Sequence, residues 1–179
     1  KRIQYAILPP TNLVQKYLKD SFILYKPKDI VAGDFYWFET IGDNCVFAVA
    51  DCTGHGVSGA LISIICHNAL NRSVREFKLT DPGQILDKVR EIVIETFERS
   101  DLNVQDGMDI ALCYLIKPNT KTGKVLLHYA GANNPLWLIR DGELSETKAN
   151  KEPIGNFDII HPYTTHTFEL EREIGRASC

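Results

Sequence analysis

The chain has 179 residues, 20 of them Lys or Arg against 23 Asp or Glu, for a formal net charge of −3, and is the size of one ordinary domain. With 44% hydrophobic and 24% charged residues, disordered and collagen-like chains are excluded. The scattered basic residues give nucleic acid no stripe to follow.

No apolar run approaches the roughly 20 residues of a membrane span, and the first residues lack the apolar core of a signal peptide. The five cysteines are odd in number and contain no CxxC pair. They fit reduced thiols, so a cytoplasmic domain is expected, in a whole protein that upstream segments could still tether to a membrane.

Lys1 to Pro10 reads as the last turns of a helix, with Ile3, Ile7 and Leu8 on one face and Pro9-Pro10 as its stop. This segment is expected to end an upstream regulatory or linker helix, leaving one domain over residues 11–179. Ser21 to Lys26 is a short apolar run before Pro27 and reads as a strand. Asp34 to Ile41 (DFYWFETI) and Cys45 to Ala50 (CVFAVA) flank Gly42-Asp43, which is a hairpin signal. After Asp51 comes the glycine-rich CTGHGVSG, then Val57, Ala60, Leu61, Ile64 and Ile65 at helical spacing. A second helix starts near Asp81-Pro82 and carries Ile85, Leu86, Val89, Val93 and Phe97 on one stripe.

The period then falls to two. Met108 to Ile116, Val125 to Ala130, Leu136 to Arg140 and Thr164 to Leu170 read as strands, the first three joined by PNTKTG and GANNP. Both alternating faces of Met108 to Ile116 are apolar, so this strand must be covered on both sides. Helices and strands come in separate runs, and the class is α+β: two packed, mainly antiparallel sheets with helices outside.

With Gly42 and Asp43 as the turn, Ile41 faces Asn44 and Asp34 faces Asp51. Directly opposed residues have Cβ atoms roughly 4.5–5.5 Å apart, and like charges there repel unless one is protonated or a cation lies between them. Hard oxygen ligands select Mg²⁺ or Mn²⁺, which makes a hydrolytic centre plausible. The same spacing also fits two strand-end carboxylates in solvent, and a slip of one residue would undo the pairing. Asp106 and Asp109 form a second acidic candidate, or a turn with an exposed flank. Gly54, Gly56 and Gly59 let backbone approach a ligand.

Other motifs fail. The glycine loop lacks the GK[ST] ending of a P-loop, and Ser58 misses a nucleophile elbow by one position. Only His55 lies near the proposed site; His67, His128, His161 and His166 read as packing or surface residues. Trp37 and Trp137 read as core anchors.

Taken in order, AGDFYWF, VADCTGHGVSGALIS, DGMDIALCYL and YAGANNPLWLIR resemble the SpoIIE/RsbU-type branch of the metal-dependent PP2C-like (PPM) serine/threonine phosphatases. The likeness runs from RIQYAILPP to PIG at 153–155. It implies an α-β-β-α sandwich with a binuclear Mn²⁺ or Mg²⁺ site held by Asp34, Asp51 and the backbone carbonyl of Cys52, with Gly33, Gly54, His55 and Gly56 in the loops beside it. Asp109 stands where many relatives carry Thr, and Asp106 is placed near a third, looser metal. The implied reaction is a single displacement by metal-activated water on phosphoserine or phosphothreonine, without a phosphoenzyme. Position 53 is Thr rather than the histidine of other PP2C enzymes, so the resemblance assigns no general acid, and His55 is one candidate for that role.

The resemblance also implies a phosphoprotein substrate of the anti-anti-sigma type. An upstream sensor module and a homodimer formed through the N-terminal helix are implied with it. Relatives continue into an acidic S/T-D-G-x-x-[DE] segment that supplies a further carboxylate, whereas this chain ends in EREIGRASC. The expectation is therefore a C-terminally truncated domain missing that ligand. Two other readings stay open: an inactive pseudophosphatase that binds a phosphoprotein, and a plain interaction domain controlled through the N-terminal helix.

Overall fold

The computed structural model describes residues 2–27, 30–98, 106–118, 124–157, 160–170 and 177–178. Two short helices, α1 (Arg2–Ile7) and α2 (Thr11–Tyr17), precede the hairpin of β1 (Phe35–Ile41) and β2 (Asn44–Cys52). Helices α3 (Gly56–Arg75) and α4 (Pro82–Glu98) follow. The remaining strands are β3 (Met108–Ile116), β4 (Val125–Ala132), β5 (Leu136–Arg140), β6 (Glu143–Thr147), β7 (His166–Leu170) and β8 (Ala177–Ser178). They form a five-stranded sheet in the order β1-β2-β3-β4-β7 and a three-stranded sheet in the order β6-β5-β8. Every ladder between them is antiparallel, and the class is α+β as read.

The hairpin pairs Ile41 with Asn44, and Gly42 takes the left-handed φ of +60° that this turn requires. From that register the alternation follows. Phe35, Trp37, Val46, Ala48, Ala50, Ile110 and Leu112 face one way, onto Cys66, Ala69 and Leu70 of α3 and the Ile85, Leu86, Val89 and Val93 stripe of α4. Burying each large side chain of that stripe is worth about 1.5–3 kcal/mol over leaving it in water.

The opposite face carries Ala111, Cys113, Leu127 and Tyr129, joined by Leu136 of β5. Near the hairpin end of that face, Phe38 and Cys45 pack with Val14 of α2. Thus β3 is covered on both sides, as its two apolar sets demand.

Five details depart from the reading of the sequence. Ser21 to Lys26 is extended but belongs to no described ladder; Ile23 packs inward, while Phe22 and Leu24 are 79% and 76% exposed. An apolar run makes a strand only where a partner backbone takes its hydrogen bonds. Trp137 is 43% exposed rather than a core anchor, because it lies on the outward face of β5 and its Nε1 donates to Glu146 across the ladder. Helix α2 and strand β6 were not anticipated: α2 has one buried side chain, Val14, and no residue of β6 is buried. The first strand after PIG starts at His166 rather than Thr164.

Residues 119–123 of the PNTKTG turn lie outside the described residues, as do 171–176 and 179 of the ending. Among the described residues no helix is long and apolar enough to cross a membrane. Cys45, Cys52 and Cys66 are free thiols, and these three and Cys113 are buried.

Candidate metal centre

The ladder of β1 and β2 ends at Phe35 with Ala50, so the next step of the register sets Asp34 opposite Asp51. On its other side Asp51 pairs directly with Asp109 of β3. The ladder of β3 and β4 ends at Ile110 with Ala132, and its next step sets Asn133 opposite Asp109. One end of the sheet therefore carries a row of Asp34, Asp51, Asp109 and Asn133 on neighbouring chain segments. By alternation the row belongs to the face turned away from α3 and α4.

The row is electrostatically loaded. Partial burial of its carboxyl, and then the hydrogen bond to Asp34 and that residue's charge, push Asp51 from 3.8 up to about 6. Two carboxyls at this distance share one proton more easily than they bear two charges. Asp109 is held at the other end, its Oδ1 accepting from Asn133 Nδ2 at 2.8 Å.

The loops beside the row are packed backbone on backbone. A Cβ on Gly33 would stand 2.7 Å from the carbonyl oxygen of Cys52 and 3.1 Å from that of Gly54, so only glycine fits there. The Cys52 thiol points into the core, where a hydrogen bond with Cys66 and then burial raise its pKa far above the ordinary thiol range. It is an inert thiol, and the Cys52 carbonyl is the group packed against Gly33. Gly54 and Gly56 carry φ of +83° and +61° through the turn into α3. His55 caps that helix in an extended conformation, its side chain making no capping bond.

Asp106 stands beside the row: its Oδ1 accepts from Thr53 Oγ1 at 2.8 Å. Thr53 N donates to the Gly107 carbonyl at 3.0 Å, and Gly107 N donates back to Thr53 Oγ1 at 3.1 Å.

Among the described residues no three His, Cys, Asp or Glu side chains converge on a common ion position. The donors that do meet are carboxyl oxygens in a like-charge pair, a set that suits a hard divalent cation such as Mg²⁺ or Mn²⁺ and not a soft one.

Helix α1 contributes a residue that the sequence reading passed over. Gln4 is buried; its Oε1 accepts from Ala32 N at 3.1 Å and its Nε2 donates to the Ala32 carbonyl. The same amide lies 3.5 Å from Ser63 Oγ on α3. This side chain therefore clamps α1 to the backbone two residues before Asp34. The available signal was one polar residue inside the otherwise apolar IQYAIL. Nearby, Tyr25 Oη donates to the Asp34 carbonyl at 3.1 Å.

The fold is that of the PP2C-like phosphatase class, whose solved domains this chain matches. Within that class the chain belongs to the SpoIIE family, whose profile, stage II sporulation protein E, matches residues 41–173. It is similar to the SiaA PP2C domain of Pseudomonas aeruginosa, with 30% identity over 94% of this chain and 63% of that one and a TM-score of 0.77.

Two other structures share the fold. One is the PP2C phosphatase domain, with a fragment of the regulatory domain, of SpoIIE from Bacillus subtilis: 16% identity, 80% of this chain and 39% of that one, TM-score 0.60. The other is RsbX in complex with magnesium: 16% identity, 82% and 65%, TM-score 0.53. The chain thus spans less than two thirds of the first two. No curated protein gives a significant match.

Proposed function

We propose that the domain is a metal-dependent protein serine/threonine phosphatase acting on a phosphorylated regulatory protein of the anti-anti-sigma type. The observation that carries this reading is the row of Asp34, Asp51 and Asp109 on adjacent strands, in which the Asp51 carboxyl is raised to about 6 by burial and by Asp34. Membership of the SpoIIE family supports it.

Two Mn²⁺ or Mg²⁺ ions, when bound, would neutralise charge on the phosphoryl oxygens and lower the pKa of the attacking water. Asp34, Asp51 and the Cys52 carbonyl would hold them, Asp109 would complete the set, and Asp106 would serve a looser third ion. Gly33 keeps the Cys52 carbonyl in place, and Thr53 fixes the 106–107 segment. The water oxygen bonds to phosphorus as the bond from phosphorus to the serine or threonine oxygen breaks. His55, exposed at the mouth of α3, is the candidate to protonate that leaving oxygen. No phosphoenzyme forms.

In the same reading, α1 passes the state of an upstream sensor module, in a dimer formed through this helix, to the Asp34 loop by way of Gln4. The setting is the cytoplasm. A second reading, a pseudophosphatase that binds a phosphoprotein without turnover, is favoured by the fact that among the described residues no three acidic side chains converge.

The two are separated by hydrolysis of a phosphoserine peptide with Mn²⁺. Turnover that is lost in Asp51→Asn is expected. Saturable peptide binding without turnover by the native chain would replace the enzyme reading with the second.

A further inference from the structure

We propose that Asn133 is a positioning residue for Asp109, and that its side-chain amide makes the third carboxylate of the row competent to hold a divalent cation. The inference rests on the metal-dependent reading above.

Register puts Asn133 at the end of the row, one step beyond Ile110 with Ala132. Its Nδ2 occupies one oxygen of Asp109 at 2.8 Å and leaves the other oxygen free of that donor, on a residue whose direct partner on β2 is Asp51. A carboxylate with one oxygen pinned presents the second in a fixed direction. Partners of this kind behind a ligand commonly raise metal affinity 10- to 100-fold. An amide can do this where a fourth carboxylate could not, since it donates a hydrogen and adds no negative charge to a row already strained by repulsion.

The backbone under Asn133 is fixed independently of that side chain. Asn133 has φ of +58°, a left-handed conformation that Asn and Gly tolerate and most residues avoid. Its N donates to the Asn150 carbonyl at 2.8 Å, Asn150 N donates to Gly131 at 3.0 Å, and Asn134 N donates to Ala132 at 2.7 Å. Tyr129 Oη ties down the Asn134 carbonyl at 2.6 Å. Because the turn is held by main-chain bonds and the bond to Asp109 is exposed, that bond contributes little to folding. A framework this rigid around a weakly stabilising contact points to aim, with stability supplied elsewhere.

The experiment uses the full chain and reads Mn²⁺ binding by titration calorimetry, with thermal melts as the check on folding. Asn133→Gly keeps the left-handed turn and removes the donor; Asn133→Ser is too short to reach Asp109 and serves if the first melts early. Either should melt close to native and bind Mn²⁺ roughly 10- to 100-fold more weakly. In an Asp109→Asn background, Asn133→Gly should add nothing further, because the two act as one unit. Native affinity in both variants, or a full additional loss in the Asp109→Asn background, would overturn the role of Asn133 and leave the metal reading standing. Absence of any Mn²⁺ heat from the native chain would overturn the metal reading and this proposal with it.

Discussion

At the scale of single residues, Asp51 concentrates the tension in the molecule. Its pKa is raised from 3.8 to about 6, so the folded, metal-free chain holds this proton more tightly than the unfolded chain does. The sign follows: the repulsion is absent below about pH 4, grows as pH rises towards 6, and is complete above it. Asp51→Asn should therefore raise the melting temperature of chelated protein at pH 7 and leave it unchanged at pH 4. Because Asp51 keeps solvent contact, the gain is modest, about 1 kcal/mol or less. Added Mn²⁺ should stabilise the native chain but not the variant. Equal melting of the two chelated proteins at pH 7 would refute the repulsion. The facing of Asp34 and Asp51 was legible in the sequence because a two-residue turn fixes a register. The Asp51 partnership with Asp109 was not, since β2 and β3 are separated by two helices and no turn length sets their alignment. Asn133 was hidden because the long PNTKTG connection between β3 and β4 fixes no single register.

Among the elements, α4 is anchored by more than its apolar stripe. Arg90, 5% exposed, donates to Glu152 at 2.9 Å, to Asp87 at 3.0 Å and to the His161 carbonyl at 2.8 Å. Its guanidinium also lies 4.5 Å from the Tyr163 ring centre. Glu152, 4% exposed, opens the segment whose Ile154 exchanges backbone bonds with Met108 at the head of β3. Arg90→Met would leave a buried carboxylate without its cation, and a loss of about 3–5 kcal/mol is expected in urea unfolding. Adding Glu152→Leu should recover much of it; a double variant as weak as the single one would count against the charge as the cause. The helices α3 and α4 could be read from their stripes. This pair could not, because Arg90 and Glu152 look like ordinary surface charges until the chain folds them together.

For the molecule as a whole, the row of aspartates has a consequence in time. The hairpin of β1 and β2 is local and can close in about 1–10 μs, which brings Asp34 to Asp51 early. Asp109 arrives only when the chain from Thr53 to Gly107, with α3 and α4 inside it, has docked and β3 has paired with β2. Contacts of such sequence separation form late. If the cation site is finished only after the rate-limiting barrier of folding, its ligand should act on one limb of the kinetics. In stopped-flow experiments Mn²⁺ is expected to slow unfolding while leaving the refolding rate near its chelated value. Refolding accelerated in step with the gain in stability would mean instead that the three strands are already aligned in the transition state. If unfolding alone responds, the cation acts as a latch on a finished sheet: the domain would persist longest where divalent ions are plentiful and turn over fastest where they are scarce.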